Sequence, residues 1–391
     1  MILLILGLIL FVGLVVIHEF GHFILARRNG VGIEEFGIGF PPKIWKKRIH
    51  SPKGDYDFTI NLLPLGGFVR MKGESDADTE KGTFGAASLW AKTQIMAAGV
   101  VMNLVVALVL LTGLALVGMP QIIDNQFTVK SDTKVVTATV DIVEVSKDSP
   151  AAKAGLKAND RITALGPKGQ EQTLSSPQDL PSATQTYAGQ EVVVRYIRDG
   201  KTAETNATLL SKSAVEASKK TNSPKGYLGV VPNPAKLAVQ RSTWSAPVVA
   251  AGLTGQFTAL TFEGLGKAVA GLGAILAGTA TGNTQARQNG QTEASSQVSG
   301  PLGIFFVLKE GGALGLAFIL LVIAIISLTL AIMNILPIPA LDGGRLWITL
   351  IAHAVHRPLS QEKEELINAI GFMCLMALIV LITVVDVKRF F

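Results

Sequence analysis

Five consecutive residues near the start of the chain, His18-Glu19-Phe20-Gly21-His22, have the types and spacing to hold a metal ion and move a proton. In a helix, residues four apart stand one turn above each other on the same face, so both imidazoles can reach one cation. Zinc takes such nitrogen ligands, and a glutamate beside the first histidine can meet a water molecule at the ion, which is the chemistry of metal-assisted hydrolysis. A catalytic zinc needs a third protein ligand and an open position. The candidate is Asp342, in the run Asn334-Ile335-Leu336-Pro337-Ile338-Pro339-Ala340-Leu341-Asp342-Gly343-Gly344-Arg345. Pro337 and Pro339 break a helix there, and the two glycines let the backbone approach the site closely. An aspartate in a Pro/Gly turn is usually a helix cap. Asp342 is read as a ligand because its expected depth matches that of His22. His50, His353 and His356 have no accompanying ligand set and are read as surface residues.

The elements that must position these residues are membrane spans. The chain has 391 residues, of which 49% are hydrophobic and 16% charged, too apolar for an ordinary soluble protein. Apolar runs at 2–26, 94–117, 314–336 and 366–385 are each long enough to cross a bilayer. Arg27, Arg28, Lys43, Lys46, Lys47 and Arg48 follow the first run and place that loop in the cytoplasm. Four crossings then put both termini outside, with His22 and Asp342 near the cytoplasmic side. No Arg/Ser-rich leader precedes the first run, which points to a bacterial plasma (inner) membrane. Lys and Arg exceed Asp and Glu by 35 to 29, and the excess clusters beside apolar segments, so the charge is read as setting membrane orientation and not as binding nucleic acid. The single cysteine, Cys374, lies in an apolar run, forms no intramolecular disulfide and is read as packing. Two histidines and a glutamate inside a span carry a desolvation penalty of roughly several kcal/mol unless partnered, which marks them as functional. A cation transporter would line several spans with polar side chains. The second and fourth runs are nearly all apolar apart from Asn103 and Asn368.

Between the second and third spans lies a polar insert. Segments 134–145, 160–165, 191–198 and 202–210 alternate like strands, and 149–156 reads as a short helix with Pro150 at its first position and Gly155 at its end. Residues 246–276 read as an amphipathic helix lying on the outer membrane face, and 278–300 have the Gly, Ser, Thr, Gln and Asn content of a solvated linker.

The first-span His-Glu-x-x-His with the third-span Asn-x-x-Pro-x-Pro-x-Leu-Asp-Gly resembles the site-2 protease family of intramembrane zinc metalloproteases, and most closely its bacterial branch that includes the regulator of sigma-E protease. Gly99-Val-Val-Met-Asn103 is similar to the family's Gly-x-x-x-Asn, Leu63-Pro-Leu-Gly-Gly-Phe68 to its membrane re-entrant β segment, and Ser299-Gly-Pro-Leu-Gly303 to its turn before the third span. Ser149-Pro-Ala-Ala-Lys-Ala-Gly-Leu156, Asn159-Asp-Arg-Ile162 and Tyr227-Leu-Gly-Val230 resemble a PDZ domain, with room for one such domain where the sigma-E branch has two. The resemblance implies a polytopic α-helical membrane protein of four transmembrane helices and a re-entrant β segment, with an inserted α/β PDZ-like domain. Its expected divisions are an N-terminal membrane core at 1–119, an extracytoplasmic PDZ-like domain at 120–235, an amphipathic helix and linker at 236–300, and a C-terminal membrane core at 301–391. It further implies one Zn2+ held by His18, His22 and Asp342, with Glu19 as general base. The substrates it implies are single-pass membrane proteins, trimmed first by an upstream protease. Asn334 is expected to hold the substrate backbone. The segment 57–71, with Leu65, Gly66, Gly67 and Phe68, is expected to offer an exposed β edge, and Asn103 to order the second span against its neighbours.

Overall fold

A computed structural model describes residues 2–390 except 75–77, 124, 137–139, 175–178, 219–224, 233–238, 298–300 and 357–359. The chain divides into two compact units, one of residues 1–113, 247–312 and 319–391, the other of 114–246 and 313–318.

The first unit opens with α1 (Ile2–Arg28), β1 (Ile33–Ile49), β2 (Tyr56–Met71) and α2 (Leu89–Val117). Arg27 and Arg28 end α1 in its last turn, where cations complement the exposed carbonyls. Both strands bend. Residues 33–38 of β1 pair with 67–71 of β2 on one side and with 57–60 on the other, while 43–49 form an antiparallel hairpin with 56–61. The expected edge at 57–71 is therefore half interior: 57–61 has strands on both sides, and only 67–71 lies at the sheet margin. The change falls at Pro64, which has no amide to give to a ladder, and at Gly66, whose φ of 146° places the chain in the region that favours glycine.

The second unit is built around β-structure. In chain order it holds β3 (Met119–Pro120), β4 (Lys134–Val136), β5 (Val140–Val145), α3 (Pro150–Lys153), β6 (Arg161–Gly166), β7 (Gln172–Thr173) and α4 (Asp179–Thr186). There follow β8 (Glu191–Arg198), β9 (Lys201–Thr208), α5 (Lys212–Ser218), β10 (Val230–Pro232) and β11 (Val239–Arg241). One sheet runs β10-β5-β6-β8-β9 with β7 on β6, and a second runs β3-β11-β4. The strand expected at 134–145 is thus divided between two sheets, with 137–139 outside the described residues. Alternating side chains of the larger sheet, among them Val140, Ile142, Ile162, Val192 and Val194, enclose the core with Leu156, Leu180 and Leu228. The short helix forms as expected: Ser149 caps α3 by accepting from the Ala152 amide at 3.1 Å, Pro150 opens it, and Gly155 leaves it at φ 77°. The 227–230 run lies against this helix, the Ala151 amide donating to the Leu228 carbonyl at 2.9 Å.

The chain then continues through α6 (Ala246–Thr281), α7 (Thr284–Gln297), α8 (Pro301–Gly311), α9 (Leu316–Ile335), α10 (Asp342–Ala354) and α11 (Gln361–Phe390). The 246–276 segment lies in one 36-residue helix, which by length and composition alone could cross a bilayer. One expectation changes here. The linker at 278–300 is helical over α7. Gly282, at φ 69°, turns the chain, and α7 returns along α6 at glycines: a Cβ at Gly290 would lie 2.6 Å from the Gly271 carbonyl oxygen. Small residues allow this backbone approach, which composition alone does not reveal. Ser299 and Gly300 of the expected turn lie outside the described residues.

Among the described residues four helices have the length and apolarity to cross a membrane: α1, α2, α6 and α9. The expected fourth span at 366–385 is a single helix within α11, and Cys374, read as packing, is exposed on it. Leu14, Leu308, Ile319 and Ile323 join α1, α8 and α9 in one apolar cluster, and Phe84, Ile95, Met96 and Leu346 belong to another with Ala26, Ile33 and Met71.

Candidate metal centre

His18 and His22 stand one turn apart on α1 and are 7% and 6% exposed. His18 Nε2 lies 2.9 Å from Asp342 Oδ2, His22 Nε2 lies 3.1 Å from the same oxygen, and the two nitrogens are 3.3 Å apart. The turn after α9 thus brings Asp342 to the histidines across 320 residues of sequence. Two imidazole nitrogens and one carboxylate oxygen, all within 4.8 Å of one another, could hold a metal ion, and their types match the donors of a catalytic zinc site.

Asp342 is the first residue of α10, but the residue in the cap position is Leu341. The Asp342 carboxylate is turned to the imidazoles and is not spent on the helix. Gly343 and Gly344 serve the turn itself. A Cβ on Gly343 would lie 2.3 Å from the Leu336 carbonyl oxygen, and one on Gly344 2.1 Å from that of Ile338. The glycines were expected to admit backbone to the site, whereas what they admit is the returning 336–338 segment. That turn rests on α11, where a Cβ at Gly371 would lie 2.4 Å from Pro339 Cβ.

The other wall is α2, which presents Ile95, Gly99 and Asn103 at successive four-residue steps, hence on one face. His22 Nδ1–H donates to the Ile95 carbonyl at 2.8 Å, which puts the ring proton on Nδ1 and leaves the Nε2 lone pair for a cation. A Cβ at Gly99 would lie 2.4 Å from His18 Cε1 and 2.6 Å from His22 Nε2. Gly21 of α1 reciprocates, since its Cβ would lie 2.7 Å from the Ala98 carbonyl oxygen. The donor set, the committed proton of His22 and the space kept open by Gly99 all fit a zinc ion.

Glu19 shares the electrostatic environment of His18, His22 and Asp342, and its carboxylate accepts a hydrogen bond from the Val69 backbone N–H. The marginal strand of the sheet passes beside it: a Cβ at Gly67 would lie 3.6 Å from Glu19 Cγ, and one at Gly66 3.2 Å from Val15 Cγ1. Of the other expected site residues, Phe68 folds its ring over Gly37, where a Cβ would lie 2.4 Å from Phe68 Cε1, and the Leu65 side chain lies outside the described residues. Asn334 is half-buried in the last turn of α9. His353 and His356 stack at a centroid distance of 6.4 Å on an exposed surface, and His50 pairs with Asp55 at 2.7 Å, also exposed. The sequence reading did not find the Ile95 carbonyl or the Val69 amide. The four-residue spacing of 95, 99 and 103 was the available signal for the first, and nothing local marks the second.

Apolar helices enclosing such a ligand set define a multi-pass membrane metalloprotease. The chain belongs to peptidase family M50, the site-2 protease family, whose model matches residues 6–378. It is 26% identical to the regulator of sigma-W protease RasP of Bacillus subtilis, over 98% of each chain. It is 27% identical to the zinc metalloprotease RasP of Bacillus licheniformis over 98% of each, and 26% identical to that of Shouchella clausii over 97% of each.

Proposed function

We propose that this protein cleaves peptide bonds within transmembrane segments of single-pass membrane proteins, with His18, His22 and Asp342 holding one zinc ion and Glu19 as general base. The observation that carries this reading is the convergence of the three ligand atoms beside Glu19 in a buried site. Bound there, zinc would supply Lewis acidity and lower the pKa of a water molecule toward neutrality. Glu19 would take a proton from the water that attacks the scissile carbonyl and pass it to the leaving amine. The Val69 amide fixes the Glu19 carboxylate, and the Ile95 carbonyl fixes the His22 ring.

A peptide bond in a transmembrane helix is shielded by its own hydrogen bonds, so the substrate must unwind and find new partners. The segment 65–68, which leads into the sheet margin at 67–71, is the proposed place for it to add as a strand, its alternate amides and carbonyls pairing with substrate backbone. The Val69 and Met71 amides already donate to Glu19 and to Glu74, so the 65–67 run is the part left for substrate. Asn334 would hold substrate backbone from the other side.

The second unit is read as one PDZ-like domain, extracytoplasmic, which excludes substrates with bulky ectodomains. The substrates are then membrane-bound regulators such as anti-sigma factors, after trimming by a first protease. For topology, the meeting of Asp342 with His18 and His22 requires an even number of crossings between α1 and the end of α9. α2 and α9 supply two, so α6 does not cross alone, and both termini are extracytoplasmic in a plasma membrane.

The test is cleavage of a truncated single-span substrate by purified protein in detergent, with zinc content measured alongside. Glu19→Gln should keep its zinc and lose about a hundred- to ten-thousandfold in rate, the range for a positioned general base. Undiminished cleavage by Glu19→Gln would overturn the assignment.

A further inference from the structure

The family-like Gly99-Val-Val-Met-Asn103 run meets the metal ligands twice. Gly99 clears space for both imidazoles, and Asn103, one turn further on, places its amide nitrogen 3.2 Å from His18 Nδ1. Asn103 is fully buried, and its backbone carbonyl accepts from the Ser327 hydroxyl of α9 at 2.8 Å, which anchors the residue from outside the site. Its side-chain oxygen Oδ1 is buried with no hydrogen-bond partner among the described residues.

For His18 to bind a cation through Nε2, that nitrogen must offer a lone pair, and the neutral ring then carries its proton on Nδ1. His22 meets this requirement through the Ile95 carbonyl. At His18 the group facing Nδ1 is the Asn103 amide, and a half-turn about its last side-chain bond exchanges Nδ2 for Oδ1 with no change of shape. In the orientation shown Oδ1 has no partner among the described residues, and turning it to His18 Nδ1 gives it the ring proton to accept. We propose that Asn103 is a positioning residue for zinc, its Oδ1 accepting from His18 Nδ1–H and thereby holding the ring in the ligating tautomer. Ile95 and Asn103, two turns apart on α2, then act as a matched pair of acceptors, one for each histidine. The inference rests on His18 and His22 being metal ligands, and it assigns Asn103 a role beyond ordering the second span.

The test uses the full chain in detergent, with zinc affinity measured by competition against a chromophoric chelator. Asn103→Leu keeps the size and removes the hydrogen bond, and should weaken zinc binding about ten- to a hundredfold, the usual loss for such a partner. Asn103→Asp, once ionised, can only accept, and at a pH where it is ionised should bind zinc within a few-fold of wild type. Leu binding zinc as tightly as wild type overturns the proposal, as does a folded Asp variant as weak as Leu, because the amide would then act as a donor. A measurement on wild type covers the case in which neither variant folds. With 15N-labelled histidine and zinc bound, His18 should show a protonated, slowly exchanging Nδ1, and a deprotonated or metal-bound Nδ1 overturns the proposal. Failure of the underlying metal site is distinguishable: wild type would then bind no stoichiometric zinc, or His18→Ala would bind it normally.

Discussion

Two aspartates, one in each unit, face opposite kinds of neighbour. Asp160, in the β-rich unit, is 1% exposed and has its charge fully matched. Arg198 donates to its Oδ1 from Nε at 2.7 Å and to its Oδ2 from Nη2 at 2.6 Å, and the Lys157 amide donates to Oδ2 at 2.7 Å. Burial opposes ionisation there, yet Arg198 and the Lys157 amide hold the carboxyl below its ordinary value. Asp342, in the membrane unit, has no guanidinium partner among the described residues. It meets two imidazoles, each of which is neutral when it ligates. A carboxylate closed by a fixed cation is scaffold, whereas one aimed with two imidazoles at a common point leaves a positive charge to be supplied from outside.

The same substitution made at both sites breaks the comparison most sharply. Asp342→Asn should reduce cleavage by at least about a hundredfold and weaken zinc binding while leaving resistance to protease unchanged, read by activity, metal content and limited proteolysis. If Asp342→Asn lowers stability while the folded protein keeps its zinc affinity, the two aspartates do not differ in kind. Gly99→Val comes next. Its side chain fills the space between the imidazoles and α2, so zinc affinity should drop by more than about tenfold, with overpacking costing about 1–3 kcal/mol in detergent unfolding.

Asp160→Asn should do the reverse of Asp342→Asn, costing about 2 kcal/mol of stability, the scale of a hydrogen bond to a charged partner, with zinc content and cleavage chemistry intact. The sign with pH follows from the lowered carboxyl. Its contribution is complete above the ordinary carboxylate value of about 4 and is lost as pH falls through the lower folded value. Denaturant midpoints of wild type should therefore decline in that acid window by more than those of Asp160→Asn. The smallest effect belongs to His353→Ala and His356→Ala. These rings are exposed and no contact between them and the site is found among the described residues, so zinc stoichiometry and cleavage should remain within about twofold of wild type.

Much of the site was legible because its first part is local. His18, Glu19 and His22 share a helix face by spacing alone, and the Pro/Gly turn at Asp342 announced a break at matching depth. The strands β6, β8 and β9 and the capped helix α3 were likewise readable from alternation and from Ser149-Pro150. The reading failed where glycine contacts between distant segments decide the outcome. The polar 278–300 segment has a linker's composition, yet it is helical where Gly290 meets Gly271. The 57–71 segment was expected to offer an exposed edge throughout, yet half of it is interior and half marginal, because pairing on both sides depends on where β1 bends.

By itself, then, the sequence determined the helical phase of His18, Glu19 and His22, the apolar runs of α1, α2 and α9 and the turn that ends α9, since each depends on residues within a turn or two of one another. Tertiary structure alone decided that the Ile95 carbonyl would take the proton of His22, that the Val69 amide would hold Glu19, and that Asn103 would face His18. The physical reason is that a backbone N–H or C=O looks the same at every position in a sequence. Which of them is left over to serve a side chain is known only once the helices have packed and the sheet has paired.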